Sequence, residues 1–67
     1  MMKITVNGQG REVAEGSTLL AVLEALGLKP AATVVEHNGV VVERPRYADV
    51  IVAEGDVLEL VRFVGGG

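Results

Sequence analysis

The stretch Val57-Leu58-Glu59-Leu60-Val61-Arg62-Phe63-Val64, running directly into Gly65-Gly66-Gly67, decides the architecture. Its β-branched and aromatic residues favour an extended chain, in which successive side chains point to opposite faces of a sheet. Leu58 and Leu60 then share one face, suited to a covered core. Val57, Glu59, Val61 and Phe63 share the other. A single helix covers only one face of a small sheet, so Val61 and Phe63 are expected to form an exposed apolar patch that docks partners. The glycines beyond lack a Cβ and thread where other residues clash, and three extended residues reach about 10 Å. The expected organisation is one domain over residues 1–64, followed by a flexible glycine tail, 65–67, that offers a carboxylate on a thin stalk.

A core face needs a cover, and Leu19, Val22, Leu23 and Leu26 supply it, falling at i, i+3, i+4 and i+7 of one helical stripe. Ser17 is placed to cap that helix, Gly27 to end it, and Pro30 prevents its resumption. At about ten residues the helix is marginal alone, so its leucines must pack on the sheet.

The remaining strands are read from alternation and turn chemistry. Met2, Ile4 and Val6 alternate with Lys3, Thr5 and Asn7, a first strand with one buried row. Asn7-Gly8-Gln9-Gly10 forms a turn into a short return strand, Arg11-Glu12-Val13. Thr33 to His37 is a third strand, turning at Asn38-Gly39 into Val40-Val41-Val42. His37 is expected to be exposed or on an edge strand. Glu43 to Tyr47 is a loop around Pro45 with solvated arginines, Val50-Ile51-Val52 a short strand, and Glu54-Gly55-Asp56 a turn.

Composition closes off several classes of function. Sixty-seven residues make one small domain, which buries only about 60% of the surface its unfolded chain exposes. No cysteine is present, so there is no disulfide, no thiolate nucleophile and no Cys-rich zinc site. One histidine builds no metal site by itself. With one Tyr and one Phe, the core is expected to be aliphatic. The net charge of −3 opposes binding to phosphate backbones, and no apolar run of about 18 residues exists to span a membrane. The expected protein is cytoplasmic, with neither nucleic acid nor membrane as partner.

Strand, strand, helix, strand pair, short strand and long strand assemble into an α+β fold of the β-grasp (ubiquitin-like) kind, a mixed sheet gripping one main helix. The first and last strands lie parallel at the centre, because the intervening chain provides the crossover that parallel neighbours require.

At this point the sequence resembles the ubiquitin-like sulfur carriers, and among them those of thiamine biosynthesis. The likeness runs through Ile4-Thr5-Val6-Asn7-Gly8, Leu26-Gly27, Asn38-Gly39, Arg44-Pro45-Arg46-Tyr47, Glu54-Gly55-Asp56 and Val64-Gly65-Gly66-Gly67. The resemblance implies that Gly66 and Gly67 are the functional motif and that the Gly67 carboxylate is adenylated and converted to a thiocarboxylate. Its implied partners are a ubiquitin-activating-type enzyme that uses ATP, a cysteine desulfurase system as sulfur source, and thiazole synthase as acceptor. On this resemblance the chain is a carrier and not an enzyme. It has no catalytic residue of its own, no metal and no stably bound cofactor.

Two other functional readings remain open at this stage, besides that of a structural domain cut from a longer protein. The small subunit of molybdopterin synthase is similar in fold and tail, although it commonly carries prolines before Gly-Gly, absent from Arg62-Phe63-Val64-Gly65. Small β-grasp binding modules of aminoacyl-tRNA synthetases and some GTPases resemble Lys3 to Gly27 and have no reactive tail.

Overall fold

Two Asn-Gly dipeptides set the hairpins of the computed structural model, which describes residues 1–63. Asn7 and Gly8 have φ of 50° and 81°, Asn38 and Gly39 of 52° and 86°. These left-handed pairs make two-residue turns whose twist matches that of the strands they join. The first hairpin joins β1 (Met2–Val6) to β2 (Gln9–Val13), and the second joins β3 (Thr33–His37) to β4 (Val40–Val42). Because the first turn closes at Gly8, Val6 pairs with Gln9, and Gly10 lies within β2 instead of in the expected longer turn.

The last strand, β5 (Val57–Arg62), holds the hairpins together. The sheet order is β2-β1-β5-β3-β4, with β5 parallel to β1 and antiparallel to β3. Val64–Gly67 lie outside the described residues, so the expected extension of β5 to Val64 and the tail at 65–67 fall there as well. Alternation along the strands builds the core. Ile4 and Val6 of β1, Leu58 and Leu60 of β5, and Val35 of β3 are all buried on the same side.

That side is covered by α1 (Leu19–Ala25), whose Leu19, Val22 and Leu23 are buried. The helix is capped by Thr18 and not by Ser17: Thr18 Oγ1 accepts from the Ala21 amide at 3.1 Å. Ser17 instead donates its hydroxyl to the Ala14 carbonyl at 2.6 Å, which tightens the turn before the helix. At the other end Leu28 N–H reaches the Leu23 carbonyl and Gly27 N–H the Glu24 carbonyl, the paired closure that satisfies terminal carbonyls. Pro30 then opens a 3-10 turn, Pro30–Ala32, that leads into β3.

The long connection from β4 to β5 departs most from expectation. Arg44–Arg46 forms a second 3-10 turn, and Tyr47 after it is buried. Its hydroxyl donates to the Thr33 carbonyl at 2.7 Å, so the core is aliphatic plus one tyrosine with its polar end satisfied. Val50 to Val52 does not form a strand of the sheet. Val50 accepts from the Leu19 amide and Val52 donates to the Ser17 carbonyl, both at 2.9 Å, leaving only the Thr18–Ile51 bridge. The segment is claimed by the helix start because those backbone groups otherwise lack partners. No helix among the described residues is long and apolar enough to cross a membrane.

Candidate functional site

Among the described residues no α-helix lies over the sheet face away from α1. Strand register places Val34 opposite Val61, Glu36 opposite Glu59, and Val41 opposite Glu36 on that face. Val61 is 57% exposed and Val41 61%. An apolar surface of this kind, left open on a small domain, is a candidate docking surface.

Of the two residues expected on the docking patch, Val61 sits within β5 and Phe63 just beyond it, 63% exposed. The Phe63 amide donates to the Ala32 carbonyl at 2.8 Å, which anchors the chain immediately before its last residues. Phe63 also borders a shallow hollow at the end of the helix, with Leu28, Lys29, Thr33 and Arg62. The open face therefore carries Val61 beside Val34, with Val41 across from Glu36, and Phe63 follows at the end of β5. Gly65, Gly66 and Gly67, the expected tail and sulfur-attachment residues, lie outside the described residues.

Sequence reasoning missed Val34 as the neighbour of Val61 and Val41 as a further residue of the same face. Val41 was within reach, because a two-residue Asn38-Gly39 turn pairs His37 with Val40 and so puts Glu36 and Val41 on one face. The pairing of Val34 with Val61 spans a separation that no local signal specifies.

His37 is not on an edge. β3 runs between β5 and β4, and the His37 side chain is mostly covered. Its Nε2–H donates to Asp56 Oδ2 at 2.7 Å, while Asn38 Nδ2 donates to Asp56 Oδ1 at 3.1 Å and the Ala53 amide to Oδ2 at 2.8 Å. Asn38 Oδ1 in turn accepts from the Val57 amide at 2.8 Å. Burial acts to raise the Asp56 pKa, but the hydrogen bonds from His37, Ala53 and Asn38, with the His37 charge, outweigh it and hold the carboxyl below its ordinary value. With its carboxylate partner fully occupied in joining two turns, this histidine is a structural tie. Among the described residues no group of three His, Cys, Asp or Glu side chains is placed to hold a metal ion.

Comparison with known proteins adds to this geometry. Residues 4–67 match the ThiS family. The chain is 42% identical over 66 residues to a thiazole synthase of Magnetococcus marinus and 41% identical to one of Paramagnetospirillum magneticum. Both matches take in 98% of this chain but 20% of the relative, so the chain spans about a fifth of the length of those proteins. It is 33% identical to the sulfur carrier protein ThiS of Escherichia coli, over 98% of this chain and 100% of that protein. A crystal structure of a thiamine biosynthesis protein (ThiS) from Geobacter metallireducens superposes with a TM-score of 0.83 at 38% identity, over 98% of this chain and 100% of that one. The strand order and the gripping helix agree with a match over nearly all of the sequence, and on that evidence the chain belongs to the ThiS family.

Proposed function

We propose that this protein is a sulfur carrier for assembly of the thiamine thiazole, with Gly67 as the residue that carries the sulfur. The observation that supports the reading most is the match to the Escherichia coli sulfur carrier protein along the whole of that relative, beside a family match that runs to Gly67. A carboxylate is a poor electrophile, so it must first acquire a leaving group. In the proposed reaction a Gly67 carboxylate oxygen attacks the α-phosphate of ATP within a ubiquitin-activating-type enzyme, and pyrophosphate leaves. A cysteine desulfurase system supplies the sulfur as an enzyme persulfide, a thiol reductant releases it as sulfide while a disulfide forms, and the sulfide then attacks the acyl carbon. AMP departs with the original oxygen, and the product is a thiocarboxylate.

The chain contains no cysteine, so sulfur has no side-chain thiol to ride on. Activation and transfer belong to the partners, which makes the chain a co-substrate and not an enzyme, working in the cytoplasm where ATP is supplied. Thiazole synthase is the proposed acceptor. Docking through Val61 and Phe63 supplies apolar burial, worth about 25 cal/mol per Å², that holds the carrier on its partners.

Intact-mass measurement tests this directly. Incubation with ATP, the adenylating partner and a sulfur source should replace one oxygen by sulfur, fragmentation should place the change on Gly67, and thiazole synthase with its small substrates should restore the starting mass. A mass that never changes, with a partner proven active on another carrier, sinks the reading.

A further inference from the structure

The open face of the sheet divides into two halves that treat their charges differently. On the β1–β2 half, Lys3 stands opposite Glu12 and Thr5 opposite Gly10, so the one charged pair is of opposite sign. On the half built by β5, β3 and β4, Glu36 stands opposite Glu59, a like-charge pair. Directly opposed residues have their Cβ atoms about 4.5–5.5 Å apart, close enough for two carboxylates to repel. The ion pairs among the described residues are His37–Asp56 and Arg46–Asp49, so none of the six basic side chains answers Glu36 or Glu59. Around the two carboxylates lie Val34, Val41, Val57 and Val61, three of them exposed.

In water this arrangement is tolerable, because solvent screens the repulsion. Docking changes that. A surface that covers the valines also strips water from both carboxylates, and buried charges without a counter-charge are costly. An apolar partner is therefore rejected, whereas one that aims a basic side chain between the valines is accepted, a guanidinium best of all because its fork serves two carboxylates. A second copy of the chain is a poor occupant, since the two half-faces together present four carboxylates and no cation. The two relatives at 42% and 41% identity are thiazole synthases about five times as long as this chain, so in them a similar domain is joined covalently to the rest of that protein. Such a joint holds the partners at high effective concentration.

We propose that the β5–β3–β4 half of the open face is the docking surface for thiazole synthase, and that Glu36 and Glu59 select it by receiving a basic side chain set among apolar ones. The proposal rests on the sulfur-carrier reading and adds the residues that recognise the acceptor. Titration of the full chain into purified thiazole synthase, at about 50 mM and about 500 mM salt, tests it. The wild-type affinity should fall with salt. The double variant Glu36→Gln, Glu59→Gln should bind about tenfold or more weakly at low salt and lose most of the salt dependence, while Glu12→Gln on the other half should bind as wild type does.

The thermal midpoint of the double variant should be unchanged or raised, because a repulsive pair has been removed; this separates recognition from folding. Unaltered affinity and salt dependence in the double variant overturn the proposal, as does self-association of the chain through this face. The mass assay separates the two levels of the argument. If the wild type acquires and delivers sulfur but the double variant binds normally, only the docking assignment fails. If the wild type acquires no sulfur, the carrier reading has failed with it.

Discussion

Leu58 and Leu60 of β5 alternate with Val57, Glu59 and Val61, yet the two sets meet opposite surroundings. The leucines are buried against the helix, whereas Val57 and Val61 are 44% and 57% exposed. One strand thus serves a core on one side and a solvent-facing surface on the other. Burial is worth about 25 cal/mol per Å² of apolar area removed from water, and the open face forgoes that gain in the isolated domain. A chain of this size has only about 3–10 kcal/mol of net stability to draw on. Apolar side chains left in water on so small a domain point to energy reserved for association.

The largest expected effect breaks the covered face. Leu60→Asp places an unpaired carboxylate among Val6, Leu26, Leu28 and Val35, and should cost more than about 4 kcal/mol, removing the cooperative transition in thermal or urea unfolding. If Leu60→Asp unfolds no more readily than wild type, the assignment of the two faces is reversed.

A middle-sized effect sharpens the comparison at the end where the two hairpins meet. Asp56 binds the turn after β3 to the turn before β5 and so helps to hold the register that sets Glu36 against Glu59. Its folded-state pKa lies below the ordinary 3.8. As pH falls the unfolded chain therefore takes up the proton first, so the contribution is complete above about pH 5 and disappears as pH drops through the folded-state value. Asp56→Asn should cost about 1–2 kcal/mol at neutral pH and flatten the dependence of stability on pH below about 5, measured by urea unfolding at several pH values. An unchanged acid slope would show that other carboxylates govern acid unfolding.

The smallest effect on folding is expected on the open side. Phe63→Asp should shift stability by no more than about 0.5 kcal/mol, since the side chain is mostly in water. The same substitution should weaken binding to the adenylating enzyme and to thiazole synthase. A variant that binds normally but loses stability would place Phe63 in the fold and not at the docking surface.

Much of the site was legible from alternation alone. The exposure of Val57, Val61 and Phe63 and the burial of Leu58 and Leu60 follow from a period of two and a single helix. What escaped was the company they keep. Tyr47 reads as a loop residue because its neighbours Pro45 and Arg46 are loop formers, yet its ring fills the core and its hydroxyl finds the Thr33 carbonyl. His37 reads as a side chain at the edge because its strand ends in a turn. The strand that covers that edge, β5, comes from the far end of the chain.

The sequence by itself determined the local elements: two Asn-Gly hairpins, a leucine-striped helix closed at Gly27, a final strand with two unlike faces, and the glycines that follow it. These are decided by residues within a few positions of one another, where steric limits on φ and the periods of helix and strand leave few choices. Only the tertiary structure decided which residues face each other across β3 and β5, that Thr18 and not Ser17 caps the helix, and that Val50–Val52 joins the helix start instead of the sheet. Those outcomes depend on pairing groups far apart in the chain, where several registers satisfy the same pattern and the choice falls to whichever packs the core and leaves no buried amide or carbonyl without a partner.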